Sequence, residues 1–351
     1  MTRVIAVAQR WLLGLMLVCY ALAGAFPAPG EALRGLVLRV PAGSVVVTLP
    51  MVLLAVMLFN AGLGVRIPDL RVVAFRPLRL AVGIAANALL PLLLLPVVGL
   101  CLRTWPDPAE AEGLVVGLLL VLAMPIAGGA ASWGQNAGGN VPLVVAMVIG
   151  STLLSPLTVP HGAGVLDDTT TVDTVARTGA GVFALLSVVL PCLTGIAVRA
   201  VLGEERIRRA LPAAKAVNLV NILLLCYTNA AGALGQVIAR PDPDLVVAAL
   251  GIAGAVCGLT FCCGRWLSRW TGCDRPDGIS LTFATGMNNS SAAAVLAAGW
   301  FSHRPEVLLP ILSYSLLQKI VAGAAGRPPR PRRTAVRSEP PLPAGIVTRQ
   351  R

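Results

Sequence analysis

Apolar runs of roughly twenty residues follow one another along nearly all of this 351-residue chain. A run of that length matches the ~30 Å hydrocarbon thickness of a bilayer. Inside hydrocarbon no water meets the backbone N–H and C=O groups, so each run must close its own hydrogen bonds, as a helix does. The chain is therefore expected to be an all-α polytopic membrane protein. With 56% hydrophobic residues and 13% charged ones, nothing is left over for a sizeable soluble domain.

The runs predict ten spans. They cover about Val4–Phe26, Ser44–Gly64, Leu78–Leu102, a fourth from Gly113, Val141–Pro160, Gly179–Leu202, Val217–Ala239, Leu245–Leu267, Ile279–Trp300 and Val307–Ala325. The first resembles a signal peptide at Ala21–Ala25, but it reads as a retained span because membrane segments follow it throughout. Residues 1–326 form the expected transmembrane domain. Residues 327–351, rich in Pro and Arg, read as a disordered cytoplasmic tail.

An even number of spans puts both termini on one side. Counted by alternating loops, that side holds twenty-one Lys and Arg, the other six. The positive-inside rule then places both termini in the cytoplasm of a cell membrane, the inner membrane if the source is bacterial. The net charge of +12 is thus read as a topology signal, with no nucleic-acid partner. Ten spans divide into two fives of opposite topology, about 1–162 and 178–326, as two inverted repeats would.

Two stretches do not suit lipid. Thr285-Gly286-Met287-Asn288-Asn289-Ser290-Ser291 interrupts the ninth span, and Gly128 to Asn136 interrupts the fourth. A polar group without a partner there costs several kcal/mol, roughly. One Gly-rich polar break in each half points to a midplane binding site in a secondary transporter. Asn288 and Asn289 read as ligands for an ion or substrate, with interhelical hydrogen bonding as the alternative. Ser290 and Ser291 divide between packing and binding. Ser132, Gln135 and Asn136 read as functional, or as partners for freed backbone. Asn87, near Pro91 in the third span, reaches either the crossing or a neighbouring helix. Lys319 is a charge well inside the tenth span; it snorkels, or its ammonium stands beside the crossing, replaces a bound cation or titrates during transport.

The chemistry of an enzyme is missing from the sequence. No intramembrane carboxylate pair, no His with a metal-ligand partner and no Gly-x-Ser-x-Gly context occurs. The eight Cys show no metal or disulfide spacing. No cofactor is expected beyond a coupling ion.

Taken together, several motifs resemble the bile acid:sodium symporter family. They are Phe59-Asn60-Ala61-Gly62-Leu63-Gly64, Asp69-Leu70, Arg76-Pro77-Leu78, Met124 to Ser132, Gly138 to Leu143, Ser151 to Pro156, Gly286 to Ser290, and Pro310 to Gln318. The resemblance spans about Met57 to Gly323. It implies ten helices in a panel domain and a core domain, with discontinuous helices four and nine crossing in the core. It also implies alternating access, sodium ions held at the crossing, and a small organic anion bound beside it. On that basis Ser132, Asn136, Thr285, Met287, Asn288 and Asn289 are the expected ion-binding residues. Asn87, Gln135, Ser290, Ser291, Gln318 and Lys319 are the expected substrate-binding residues. Two departures stand out. Ala284 occupies a position where sodium-binding members often carry Glu, and Trp133 replaces the Asn that commonly follows the fourth-span Ser. Proton-coupled or facilitative carriage, or a receptor without transport, stays open beside sodium symport.

Overall fold

A computed structural model describes residues 11–39, 46–66, 68, 77–163, 180–239, 241–301 and 304–325. The expected basic tail, the first ten residues and most of the polar segment ending at Arg177 lie outside the described residues.

The helices are α1 (Leu12–Ala25), α2 (Pro27–Arg34), α3 (Leu49–Leu63), α4 (Pro77–Leu102), α5 (Pro108–Ala123), α6 (Gly129–Asn136) and α7 (Val141–Ala163). They continue as α8 (Gly181–Leu202, π-helical at Ala184–Val189), α9 (Glu204–Ala239), α10 (Pro243–Trp270), α11 (Arg275–Gly286), α12 (Ser290–Trp300) and α13 (Pro305–Ala325). One two-stranded antiparallel ribbon, β1 (Val37–Arg39) and β2 (Val46–Thr48), pairs Val37 with Thr48 between α2 and α3.

Among the described residues six helices are long and apolar enough to cross a membrane: α4, α7, α8, α9, α10 and α13. The bent pair α1–α2, turning by 97° at Phe26–Pro27, makes seven if counted as one span. The other predicted spans are built of shorter pieces. The second is the 15-residue α3, and the fourth and ninth are the broken pairs α5–α6 and α11–α12.

One sequence expectation is corrected. Residues 204–215, read as a basic loop, are the opening turns of the 36-residue α9. Glu204 and Glu205 sit in its first turn, where the helix dipole favours acids. Arg208 and Arg209 pair with Glu205 at i+3 and i+4. Charge excludes a segment from hydrocarbon, but it does not stop a helix.

The core lies around α5. Every residue from Gly113 to Ala123 is buried, and the Ala-rich α12 is buried from Ala292 to Ala298. Without a hydrophobic drive between helices in lipid, close contact depends on small residues. Gly117 of α5 lies against the Val307 carbonyl of α13, and Gly62 of α3 and Gly195 of α8 let those backbones touch. Conversely Leu89, Leu93, Val97 and Leu100 of α4 are exposed at helical spacing, an apolar stripe suited to lipid.

Candidate functional site

Helix α5 stops at Ala123 because Pro125 brings no N–H and forces the preceding residue out of helical geometry. Met124 is accordingly extended. On the partner strand of chain, α11 ends at Gly286 with Met287 extended. The two breaks face each other. The Ala127 N–H donates to the Met287 carbonyl at 2.8 Å, and the Asn289 N–H donates to the Pro125 carbonyl at 2.9 Å. Ile126 and Asn288 are opposed in an antiparallel bridge. Groups freed by one interruption thus satisfy those freed by the other, which is how irregular backbone survives at membrane depth.

Side chains complete the join. The Asn288 Nδ2 donates to the Val121 and Leu122 carbonyls, each at 3.1 Å, capping the end of α5. Its Oδ1 accepts from Asn87 Nδ2 at 3.3 Å, bringing α4 to the crossing. Asn289 Oδ1 accepts from the Ala292 N–H at 3.1 Å as the N-cap of α12. The Ile126 N–H donates to Ser151 Oγ of α7 at 3.1 Å. The sequence reading left Asn288, Asn289 and Asn87 divided between ligand and glue; all three hold the crossing together.

The breaks are shorter than the polar stretches suggested, and one is displaced. Gly129–Asn136 is helical, so the fourth-span interruption is Met124 to Gly128, upstream of Ser132. Thr285 and Gly286 are still helix, and Ser290 opens the next one. The polarity of α6 has another cause. Gly128, Gly129, Ser132, Gln135 and Asn136 are all exposed. Gly129, Ser132 and Asn136 recur at helical spacing, so a polar stripe is bared where α4 bares an apolar one. Such a stripe fits a water-lined crevice and not lipid. The N-terminus of α6 opens on it, with Gly128 toward Ala61 of α3.

The other predicted residues divide. Thr285 is buried, and its hydroxyl is turned to the Leu281 and Thr282 carbonyls of its own helix. Met287 is buried and offers its carbonyl to Ala127. Gln318 is buried; its Nε2 donates to Ser290 Oγ at 2.9 Å, while its Oε1 has no hydrogen-bond partner among the described residues. Ser291 is half-buried beside it in sequence. Lys319 Nζ donates to the Ser315 carbonyl at 2.8 Å and to Ser315 Oγ at 3.3 Å. Ala284 is fully buried. Ser132, Gln135 and Asn136 thus share the exposed face of α6, and the crossing itself is lined by Asn87, Met287, Asn288 and Asn289.

Sequence reasoning missed a charged cluster. Asp277, fully buried in the first turn of α11, pairs with Arg79 of α4 and accepts from Asn140 Nδ2 at 2.7 Å. Asp274 caps the same helix and also meets Arg79, at 3.4 Å. The Asn140 N–H donates to the Pro276 carbonyl at 3.1 Å, and Ser280 Oγ to the Asn140 carbonyl at 2.9 Å. The segment after α6 is thereby pinned to the start of α11. The signal was Asp277 two residues before an apolar run, with Arg79 one residue inside another. Ser151 was also missed as a partner of the break. Among the described residues no group of three or more His, Cys, Asp and Glu is placed to hold a metal ion.

The family model described as "Sodium Bile acid symporter family" matches residues 51–240, more than half of the chain. The chain is also similar to "Uncharacterized protein YbaS" of Bacillus subtilis (strain 168), 25% identical over 213 residues that cover 60% of this chain and 67% of that protein. This multi-pass membrane protein belongs to the sodium bile acid symporter family.

Proposed function

We propose that the chain is a secondary transporter moving a small organic anion by alternating access, with sodium as the coupling ion. The observation that carries this reading is the backbone bridge between Ile126 and Asn288, where two broken helices cross. In that reading α5–α6 and α11–α12 are spans four and nine of ten, in two inverted repeats. Helices α1 to α3, α8 and α9 form the panel, and the remaining helices the core. The polar exposed face of α6 lines the crevice, and the N-termini of α6 and α12 turn positive dipole ends toward an anion. The buried Gln318 Oε1, an acceptor without a partner beside the start of α12, is the kind of oxygen that a bound cation would satisfy.

A second reading, sodium-independent carriage, is favoured by Ala284. A fully buried methyl group supplies no charge to hold sodium, and the Asn288 and Asn289 carbonyl oxygens are engaged as hydrogen-bond acceptors. Uptake of labelled short-chain carboxylates into proteoliposomes tests both readings. Uptake that follows an inward sodium gradient supports symport. Uptake unchanged when choline replaces sodium favours the second reading. No uptake of any anion under either gradient overturns transport.

A further inference from the structure

We propose that Lys319 is the residue that binds the anionic head group of the cargo. The inference rests on the transport reading above and goes beyond it by naming the recognising group. The ammonium does not snorkel. Lys319 lies six residues before the end of α13, yet its Nζ folds back to Ser315 Oγ and the Ser315 carbonyl. Ser315 is the central residue of the 21-residue helix, ~15 Å from either end at 1.5 Å per residue. The amine therefore sits near the midpoint of the helix instead of reaching for the nearer surface.

Its surroundings come from four helices. The hydroxyl of Tyr20 on α1 lies near Ser315 and near Cys226 on α9. Cys226 and Cys257 of α10 lie within electrostatic reach of the amine. These neighbours are thiols and hydroxyls, and among the described residues no carboxylate pairs with Lys319. Two other buried or half-buried cations within the helices are engaged: Arg79 by Asp277 and Asp274, Arg199 by Glu204 and the Leu63 carbonyl. An ammonium held in a membrane interior without a counter-charge is costly, and the cost falls when an anion arrives. Lys319 as a whole residue is half-buried. In the transport reading α1 and α9 belong to the panel, α10 and α13 to the core. The amine therefore stands on the boundary that alternating access opens.

Its depth matches the site. Trp133 of α6 lies against Gly323 of α13. Both helices run the same way in the ten-span reading. One turn back from that contact, Lys319 and Gly129 come to about the same depth, roughly 6 Å closer to the crossing.

The test uses the full chain in lipid nanodiscs. Propionate, butyrate, valerate, benzoate and butanesulfonate are titrated, each beside its neutral amide, against thermal unfolding of wild type, Lys319→Met, Lys319→Gln and Lys319→Arg. At least one acid should stabilise wild type while its amide does not. That acid should bind Lys319→Met and Lys319→Gln at least about tenfold more weakly, with partial recovery in Lys319→Arg. The two neutral variants guard against one of them failing to fold. Equal stabilisation of wild type and neutral variants, equal stabilisation by acids and amides, or no stabilisation of wild type by any acid overturns the proposal. Uptake separates it from the transport reading. An acid that binds through Lys319 and never crosses leaves this proposal standing and removes transport. An acid that crosses equally well in Lys319→Met does the reverse.

Discussion

The Asn288 side chain spans two helices that are far apart in sequence, donating to the Val121 and Leu122 carbonyls while accepting from Asn87. It is only 2% exposed, so each of these bonds is made out of reach of water. Asn288→Ala should therefore strand the Leu122 carbonyl and the Asn87 amide and leave the Val121 carbonyl with the Met124 N–H alone, lowering stability by about 2–3 kcal/mol. Thermal unfolding in detergent measures it. Adding Asn87→Ala to that variant should cost little more, because the bond between them is already gone. Two single changes whose costs simply add would show that the pair does not act as a unit.

Gly62 and Gly195 make the closest approach between α3 and α8. A methyl group at Gly62 would overlap the Cys192 carbonyl, and one at Gly195 the Phe59 carbonyl. Backbone oxygens cannot rotate aside as a side chain can, so either Ala variant should give a chain that aggregates on size-exclusion chromatography. Gly99→Ala is the contrast. Nothing lies within 4 Å of a methyl group there, and the change should stabilise α4 by ~0.5–1 kcal/mol through helix propensity. A normal elution profile for Gly62→Ala and Gly195→Ala would refute the packing account.

Asp277 is fully buried, whereas the Arg79 side chain remains 25% exposed. Removing Arg79 leaves a buried carboxylate that keeps the Asn140 amide and loses its cation; removing Asp277 leaves a cation that retains Asp274 and some water. Breaking such a pair from the buried side of the charge typically costs 3–5 kcal/mol, roughly. Arg79→Ala should accordingly destabilise more than Asp277→Ala, and the double variant less than Arg79→Ala alone. A double variant worse than either single one would point to a different role for the cluster.

Much of the architecture was legible because the bilayer imposes run lengths. The apolar runs near Leu78–Leu102, Val141–Pro160, Gly179–Leu202, Leu245–Leu267 and Val307–Ala325 all became helices within a few residues of the predicted ends. The two breaks announced themselves as polar groups in apolar sequence. Their positions did not, because polarity marks exposure to a crevice as readily as unwinding. Ser132 and Asn136 are polar because α6 faces outward there, whereas the unwound Met124-Pro125-Ile126-Ala127 is apolar apart from its backbone. Nor could sequence tell a cap from a ligand at Asn288 and Asn289, since both roles use the same amide. Asp277 escaped notice because burial at a helix start depends on which distant residues arrive, here Arg79 and Asn140.

The bridge between Pro125–Ala127 and Met287–Asn289 is made chiefly of main-chain groups, which every amino acid carries. Exchanging the side chains at Ile126, Ala127 or Met287 would leave those main-chain bonds in place, so the seam that holds the crossing does not depend on which residues stand there.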